Sequence, residues 1–307
     1  MCGISGIFDL RGKRNVDQGL LKAMNRSQAH RGPDGEGYHF EPGVGLGHRR
    51  LAIIDLEGGA QPMFNEDESV AVTFNGEIYN FIEICDLLRA RGHVFKTRCD
   101  TEVIVHAWEE WGEDCVERFN GMFAFAVWDR NQDCLFLARD RIGIKPLLYG
   151  VSVVGLLLFG TELKVLTRHP RFSRQIRDEA VEDYFAFGYV PDPKTIFRNA
   201  FKLPPGHTLR VERRETLAEP RRYWDVPFAP AVTADGDVLD AELIERLKGA
   251  VNRRLIAEVP LGAFLSGGVD SSAVVAMMGQ LSDDPVNTCC ISFGDPAFNE
   301  SQFAQQV

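Results

Sequence analysis

The 307-residue sequence predicts an α+β region of short strands and amphipathic helices, followed by an α/β region that opens a parallel sheet. Three observations carry this. From Met1 to about Gly160, β-branched and aromatic segments alternate with segments of helical periodicity. Between Pro191 and Pro230 the texture becomes proline-rich and charge-studded, as at a domain boundary. Beyond it, strand, glycine loop, helix and strand follow in that order.

In chain order, "CGISGIFDL", "VGLGHRRLAII", "SVAVTFNGEIYN", "MFAFAVWDR", "CLFLARDRIG" and "LLLFGTEL" read as strands. "GLLKAMNRSQAH", "IEICDLLRARG" and "TEVIVHAWEEWGEDCVERF" place apolar residues at helical spacing. "DVLDAELIERLKGAVNRRLI" is an amphipathic helix, "VPLGAFLSGGVDSSAVVAMMGQL" a strand, loop and helix, and "PVNTCCISF" a further strand. The closing "FNESQFAQQV" reads as the start of another helix. Two parallel strands leave both sheet faces open, so the second region reads as part of a domain. The expected layout is a first domain over 1–205, a linker over 206–235 and an incomplete second domain over 236–307.

Composition narrows the function. Apolar residues make up 45% and charged residues 25%, ordinary for a globular protein. A net charge of -10 argues against a broad basic surface for nucleic acid or acidic lipid. The seven cysteines are scattered and lack paired zinc spacing, so most of them read as buried thiols in a reducing, cytoplasmic setting. The longest apolar run, "VSVVGLLLF", is too short to span a bilayer.

Two stretches carry chemistry. In "SGGVDSS" a strand runs into a helix through a glycine loop, whose amides suit a phosphate group. No Lys follows the second glycine, so the loop is not a Walker motif. Asp270 could hold Mg²⁺ on a pyrophosphate; the alternative is a Ser/Gly turn with an Asp cap. At the other end, removal of Met1 would give Cys2 both a thiol and an α-amine. With a pKa of about 7.7–8.0, that amine can take the thiol proton without a His partner.

"SGGVDSS" resembles the pyrophosphate loop of N-type ATP pyrophosphatases. "MCGISGIFD", "HRGPDGEG", "HRRLAIIDL" and "FNGEIYN" resemble the class II glutamine amidotransferase domain of the glutamine-hydrolysing asparagine synthetase family. "CDTEVI", "GMFAFAVWD", "RDRIGIKPL", "TELKVL" and "KLPPGH" extend that resemblance from Cys2 to Gly206. It implies an N-terminal nucleophile hydrolase fold, an α/β/β/α sandwich, followed by a truncated ATP-pyrophosphatase domain.

The roles implied are specific. Cys2 would attack the glutamine amide, with Asn75 and the Gly76 amide as oxyanion donors. Arg50 would pair with the glutamine α-carboxylate and Glu77 and Asp100 with its α-ammonium, and Leu51 would also bind glutamine. Leu265, Ser266, Gly267, Gly268, Asp270, Ser271, Ser272 and Ile291 would bind ATP, with Mg²⁺ at Asp270. Other readings stay open: "NGE" is a common turn, Asp100 could cap the helix near Thr101, Arg49 could face the site, and Leu265 and Ile291 could be core. "HRGPDGEG" is read as a loop without chemistry, and His30 and His48 as structural. "FNES" departs from the family's FDES at Asn299.

The implied partners are glutamine, ATP and aspartate, or another carboxylate acceptor; a homodimer is allowed. The full reaction would pass ammonia to an aspartyl adenylate to make asparagine. Rival readings are amidation of a different carboxylate, a purine-pathway amidotransferase, against which "SGGVDSS" speaks, and a glutamine-sensing module.

Overall fold

The computed structural model describes residues 1–228 and 235–307. They form two compact units, Met1–Val226 and Pro227–Val307.

In the first unit the elements run β1 (Gly3–Asp9), α1 (Gln18–Arg26), β2 (Gly35–Glu41), β3 (Val44–Arg50), β4 (Met63–Phe64), β5 (Val70–Ile78), α2 (Phe81–Arg89) and α3 (Glu102–Trp111). They continue through α4 (Cys115–Arg118), β6 (Gly121–Asp129), β7 (Cys134–Arg139), β8 (Leu148–Val151), β9 (Leu156–Gly160), α5 (Leu163–Thr167) and α6 (Asp178–Phe187). β10 (Ala200–Lys202), β11 (His207–Glu212) and β12 (Arg221–Arg222) close the unit.

Two antiparallel six-stranded sheets result, in the orders β10-β8-β9-β1-β3-β2 and β12-β11-β7-β6-β5-β4. Alternating side chains explain their packing. Ile4 and Phe8 of β1, Leu46 of β3 and Phe159 of β9 meet Ala124, Ala126 and Trp128 of β6 and Leu137 of β7 in one buried cluster between the sheets. The other face of the second sheet packs Phe74, Phe125 and Phe136 against Ile84 and Leu88 of α2 and Ile104 and Trp108 of α3. The other face of the first sheet packs Ile7 and Leu158 against Leu21 and Met24 of α1 and Val165 of α5. The unit is thus helices, sheet, sheet, helices.

Local chemistry sets the helix limits. Asp17 caps α1 by accepting from the Leu20 amide at 3.0 Å. α2 buries Phe81, Ile84, Cys85 and Leu88, the spacing of one helical face. The sequence predicted one helix through "TEVIVHAWEEWGEDCVERF". The structure breaks it at Gly112, which takes a left-handed φ of 58° before α4 restarts the chain.

The expected boundary at residue 205 is corrected. β11, expected inside the linker, pairs with β7 from Thr208↔Ala138 to Glu212↔Cys134 and buries Leu209 and Val211. Of the expected linker, residues 229–234 lie outside the described residues.

The second unit contains α7 (Gly236–Asn252), β13 (Gly262–Phe264), α8 (Val269–Leu281), β14 (Asn287–Cys289) and α9 (Ser301–Ala304). β13 and β14 pair in parallel, as the strand–loop–helix–strand order predicted. Asn299 accepts from the Ser301 amide at 3.1 Å, so its side chain braces the chain entering α9.

Candidate functional site

Cys2 lies just before β1, and the antiparallel pairing Gly3↔Arg49 sets it beside the end of β3. Its Sγ accepts from the Leu51 amide at 3.4 Å and lies 3.6 Å from the Leu51 carbonyl. Burial pushes the thiol above its usual range, partly offset by the Leu51 amide. The Cys2 carbonyl is held by Arg31 Nε at 2.9 Å, and Arg31 Nη1 is paired with Glu162 at 3.2 Å. "HRGPDGEG" and "TELKVL" therefore meet behind Cys2 and fix its backbone. Gly35–Gly37 of the first motif, read as loop, begin β2.

β5 supplies the opposite wall. Asn75 is fully buried, and neither its Oδ1 nor its Nδ2 has a hydrogen-bond partner among the described residues. An orphaned buried amide costs about 1–3 kcal/mol, so the protein sustains a donor with nothing to donate to. Gly76 sits in the strand and not in a turn: a Cβ there would lie 2.1 Å from the Met122 carbonyl oxygen. "NGE" needs glycine because β6 passes this close.

His48 of β3 fixes the strand from the other sheet. Its Nε2 donates to the Phe74 carbonyl at 3.0 Å, and burial pushes its pKa down to about 3, keeping it neutral. It ties β3 to β5 next to Asn75.

One cavity of about 200 Å³ is lined by Cys2, Arg50, Leu51, Asn75, Gly76, Glu77 and Asp100. All seven residues expected for glutamine thus reach one space. Arg50, not Arg49, faces it: Arg49 pairs with Glu36 at 2.8 Å. The Arg50 guanidinium is anchored by the carbonyls of Leu56, Ile54 and Asp55 at 2.9, 3.3 and 2.6 Å. Those contacts use three of its five N–H groups. Asp100 does not cap α3; its Oδ2 accepts from the Ile78 amide at 2.9 Å. Burial pushes Asp100 up to about 6, with Glu77 adding to the rise.

Sequence reasoning missed Lys145, which also lines the cavity and is 4% exposed. Burial lowers its pKa, while Glu77 and Cys2 oppose that shift. Asp140 folds the loop that presents it, accepting from the amides of Ile144 and Lys145 at 2.9 Å each. The signal was a lone lysine inside the apolar stretch of "RDRIGIKPL". Gln61 was missed too; it bridges the Thr101 hydroxyl and the Phe74 amide at 3.2 and 2.7 Å.

In the second unit, Leu265, Ser266, Ser271 and Ile291 line a cavity of about 360 Å³. Asp270 opens onto another cavity, lined by Val251, Phe264 and Val274, which Ser271 also reaches. The loop suits a phosphate group: α8 begins at Val269 without a side-chain cap, Gly267 takes a φ of 83°, and the buried Ser272 Oγ lacks a partner among the described residues. A Cβ at Gly267 would approach the Phe303 backbone to 2.5 Å. Leu265 is buried and Ile291 exposed, so Leu265 doubles as core and Ile291 does not.

Comparison with known proteins decides the family. Residues 1–224 match the model of the glutamine amidotransferase domain. The chain belongs to this class II amidotransferase family. Residues 242–307 match the asparagine synthase model, so the second unit is part of that domain. Asparagine synthetase [glutamine-hydrolyzing] 1 of Bacillus subtilis (strain 168) is 37% identical over 311 residues, covering 100% of this chain and 48% of its own length. A putative asparagine synthetase [glutamine-hydrolyzing] 2 of Methanocaldococcus jannaschii is 38% identical, covering 100% of this chain and 62% of its own. The chain thus spans about half the length of the Bacillus relative.

Among solved structures, a glutamine phosphoribosylpyrophosphate amidotransferase from B. subtilis, complexed with ADP and GMP, aligns with a TM-score of 0.53 at 15% identity. The alignment covers 100% of this chain and 70% of that one. This likeness establishes the N-terminal nucleophile amidotransferase fold.

Among the described residues, no helix is long and apolar enough to cross a membrane.

Proposed function

We propose that the first unit hydrolyses glutamine through a Cys2 thioester. The observation that carries this is the single cavity in which Cys2, a guanidinium, two carboxylates and the unpartnered amide of Asn75 converge. Arg50 would pair with the α-carboxylate, and Glu77 and Asp100 with the α-ammonium, a clamp that selects a free amino acid. The side-chain amide then points back to Cys2.

Loss of Met1 places the α-amine on Cys2, where it takes the thiol proton. The sulfur attacks the amide carbon, a C–S bond forms, and the negative oxygen is met by the Asn75 amide and the Gly76 N–H. The C–N bond breaks, the proton leaves with ammonia, and water releases glutamate from the thioester. Burial of the thiol, which disfavours a free thiolate, suits a proton transfer coupled to attack.

For the whole reaction we favour asparagine synthesis, with ATP bound by Ser266–Ser272 activating the carboxylate of aspartate, Mg²⁺ beside Asp270 and ammonia as the nucleophile. The match of 242–307 to the asparagine synthase model and the names of the relatives support this over another carboxylate acceptor. The cytoplasm suits its free cysteines.

An electrophilic glutamine analogue tests the site. Peptide mapping by mass should find one adduct, on an N-terminal peptide that begins at Cys2. An adduct elsewhere, or none on a chain that has lost Met1, would refute the assignment.

A further inference from the structure

A second cluster of titratable side chains lies outside the glutamine cavity, where the β4–β5 turn meets α3 and the segment following α2. At its centre is His106 of α3, only 1% exposed, and neither ring nitrogen makes a hydrogen bond among the described residues. A buried polar group without a hydrogen bond costs about 1–3 kcal/mol, and the ring nitrogens instead face the carboxylates of Glu66, Glu102 and Glu109 at 3.6, 3.6 and 3.4 Å.

Its neighbours are metal-ligand types at metal-ligand separations. Glu66 Oε2 lies 3.6 Å and Glu109 Oε2 3.4 Å from His106 Nδ1. Glu109 Oε2 also lies 3.9 Å from His93 Nδ1. One ligand atom each from Glu66, His93 and His106 lies within 4.8 Å of the other two. These gaps exceed an ordinary hydrogen bond of about 2.7–3.2 Å. The two gaps at His106 Nδ1 approach the edge of a tetrahedron around an ion with bonds of about 2.0–2.1 Å, which is roughly 3.3 Å, and the gap from Glu109 to His93 is wider.

The surroundings aim the ligands. Glu66 Oε1 accepts from the Val94 amide at 3.0 Å, and Glu109 Oε1 from Asn65 Nδ2 at 2.7 Å, so each carboxylate turns its Oε2 to the cluster. His93 Nε2 faces Glu110 Oε2 at 3.4 Å. His106 Nε2 faces Glu102 Oε1 at 3.6 Å, and Glu102 is itself fixed by the Lys96 and Thr97 amides at 2.7 Å. A carboxylate behind each imidazole is the arrangement that orients histidine ligands.

We propose that Glu66, His93, His106 and Glu109 form a site for a divalent cation of the zinc class. Two imidazoles disfavour Ca²⁺ and Mg²⁺, which take oxygen donors, and two carboxylates offset the ion's charge. The ion ties the turn that leads into β5, the strand of Asn75, to the helix that follows Asp100. The competing arrangement is a protonated His106 held by carboxylates, with no affinity for metal.

The test is titration of the tag-free, chelator-stripped chain with Co²⁺ and then Zn²⁺. We expect one Co²⁺ per chain with the visible absorption of tetrahedral coordination, displaced by Zn²⁺, and a Zn²⁺-dependent rise in Tm. His93→Gln should weaken binding tenfold or more and abolish the Tm rise. Glu66→Gln, in an exposed turn, supplies the same readout if His93→Gln does not fold. A parent chain that binds no Co²⁺, or a folded variant that binds as the parent does, would overturn the proposal in favour of the ion-pair network.

Discussion

β6 and α8 are both apolar segments, yet they fare differently. β6 is buried from Phe123 to Asp129, with one sheet face against a second sheet and the other against helices. α8 has no buried residue, Val269 is 87% exposed, and all of β14 is exposed. Among the described residues of the second unit, only Val251 and Leu265 are buried. Apolar composition alone therefore does not make a core. Antiparallel strands close a four-layer unit within one stretch of chain, whereas a parallel pair needs further strands and helices to cover it.

This contrast can be broken or sharpened by mutation, beginning with packing. Phe125→Ala, in the fully buried cluster of the first unit, should cost about 3–5 kcal/mol in denaturant unfolding followed by aromatic signals of that unit. A cost below about 1 kcal/mol would mean that the cluster is looser than its geometry. Within the same unit, Asn75→Ala should lower glutaminase kcat by about 10²–10³ with little change in KM, as expected of an oxyanion donor. A change confined to KM would assign Asn75 to ground-state binding.

A smaller effect comes from pH. Burial holds Asp100 at about 6 in the free protein, so its carboxylate is charged above that value and neutral below it. If Asp100 binds the ammonium as proposed, losing the charge removes that partner, so kcat/KM should fall about tenfold between pH 7 and pH 5, and kcat less. Asp100→Asn should lack this limb; a limb that survives the substitution would belong to another group. The smallest effect belongs to the second unit: Ile291→Ala, at a residue 63% exposed, should change stability by about 0.5 kcal/mol or less.

The same contrast explains what the sequence made legible. The strands through Phe8, Phe74, Phe125 and Phe136 were readable because alternation and aromatic content mark them, and the helices of Leu21, Ile84 and Ile104 because their period does. β2, β4, β8 and β10–β12 were not assigned: β2 is hidden in a glycine-rich motif, and β4 and β12 have two residues each, too few for any pattern. β11 lay within a stretch read as linker because prolines and charges surround it. In the site, Cys2, Arg50, Asn75, Glu77 and Asp100 were legible through the motif resemblance, and the structure adds what joins them. Lys145 and Gln61 were not, because a lysine or glutamine next to apolar residues becomes a cavity residue only through a fold partner. For Lys145 that partner is the loop folded by Asp140; for Gln61 it is the amide of Phe74. The ATP loop shows the converse. Asp270 belongs to the loop motif and Ile291 to the next strand, and the structure sets them on two cavities that share Ser271.

The central claim is that Cys2 works as an N-terminal nucleophile in a preformed glutamine cavity. Its most direct test is glutamate release from glutamine by the purified chain, beside Cys2→Ala, with the N-terminus of both read by intact mass. The account predicts steady release by a chain that begins at Cys2 and background release by the variant. Equal rates in the two, or release by a chain that retains Met1, would contradict it.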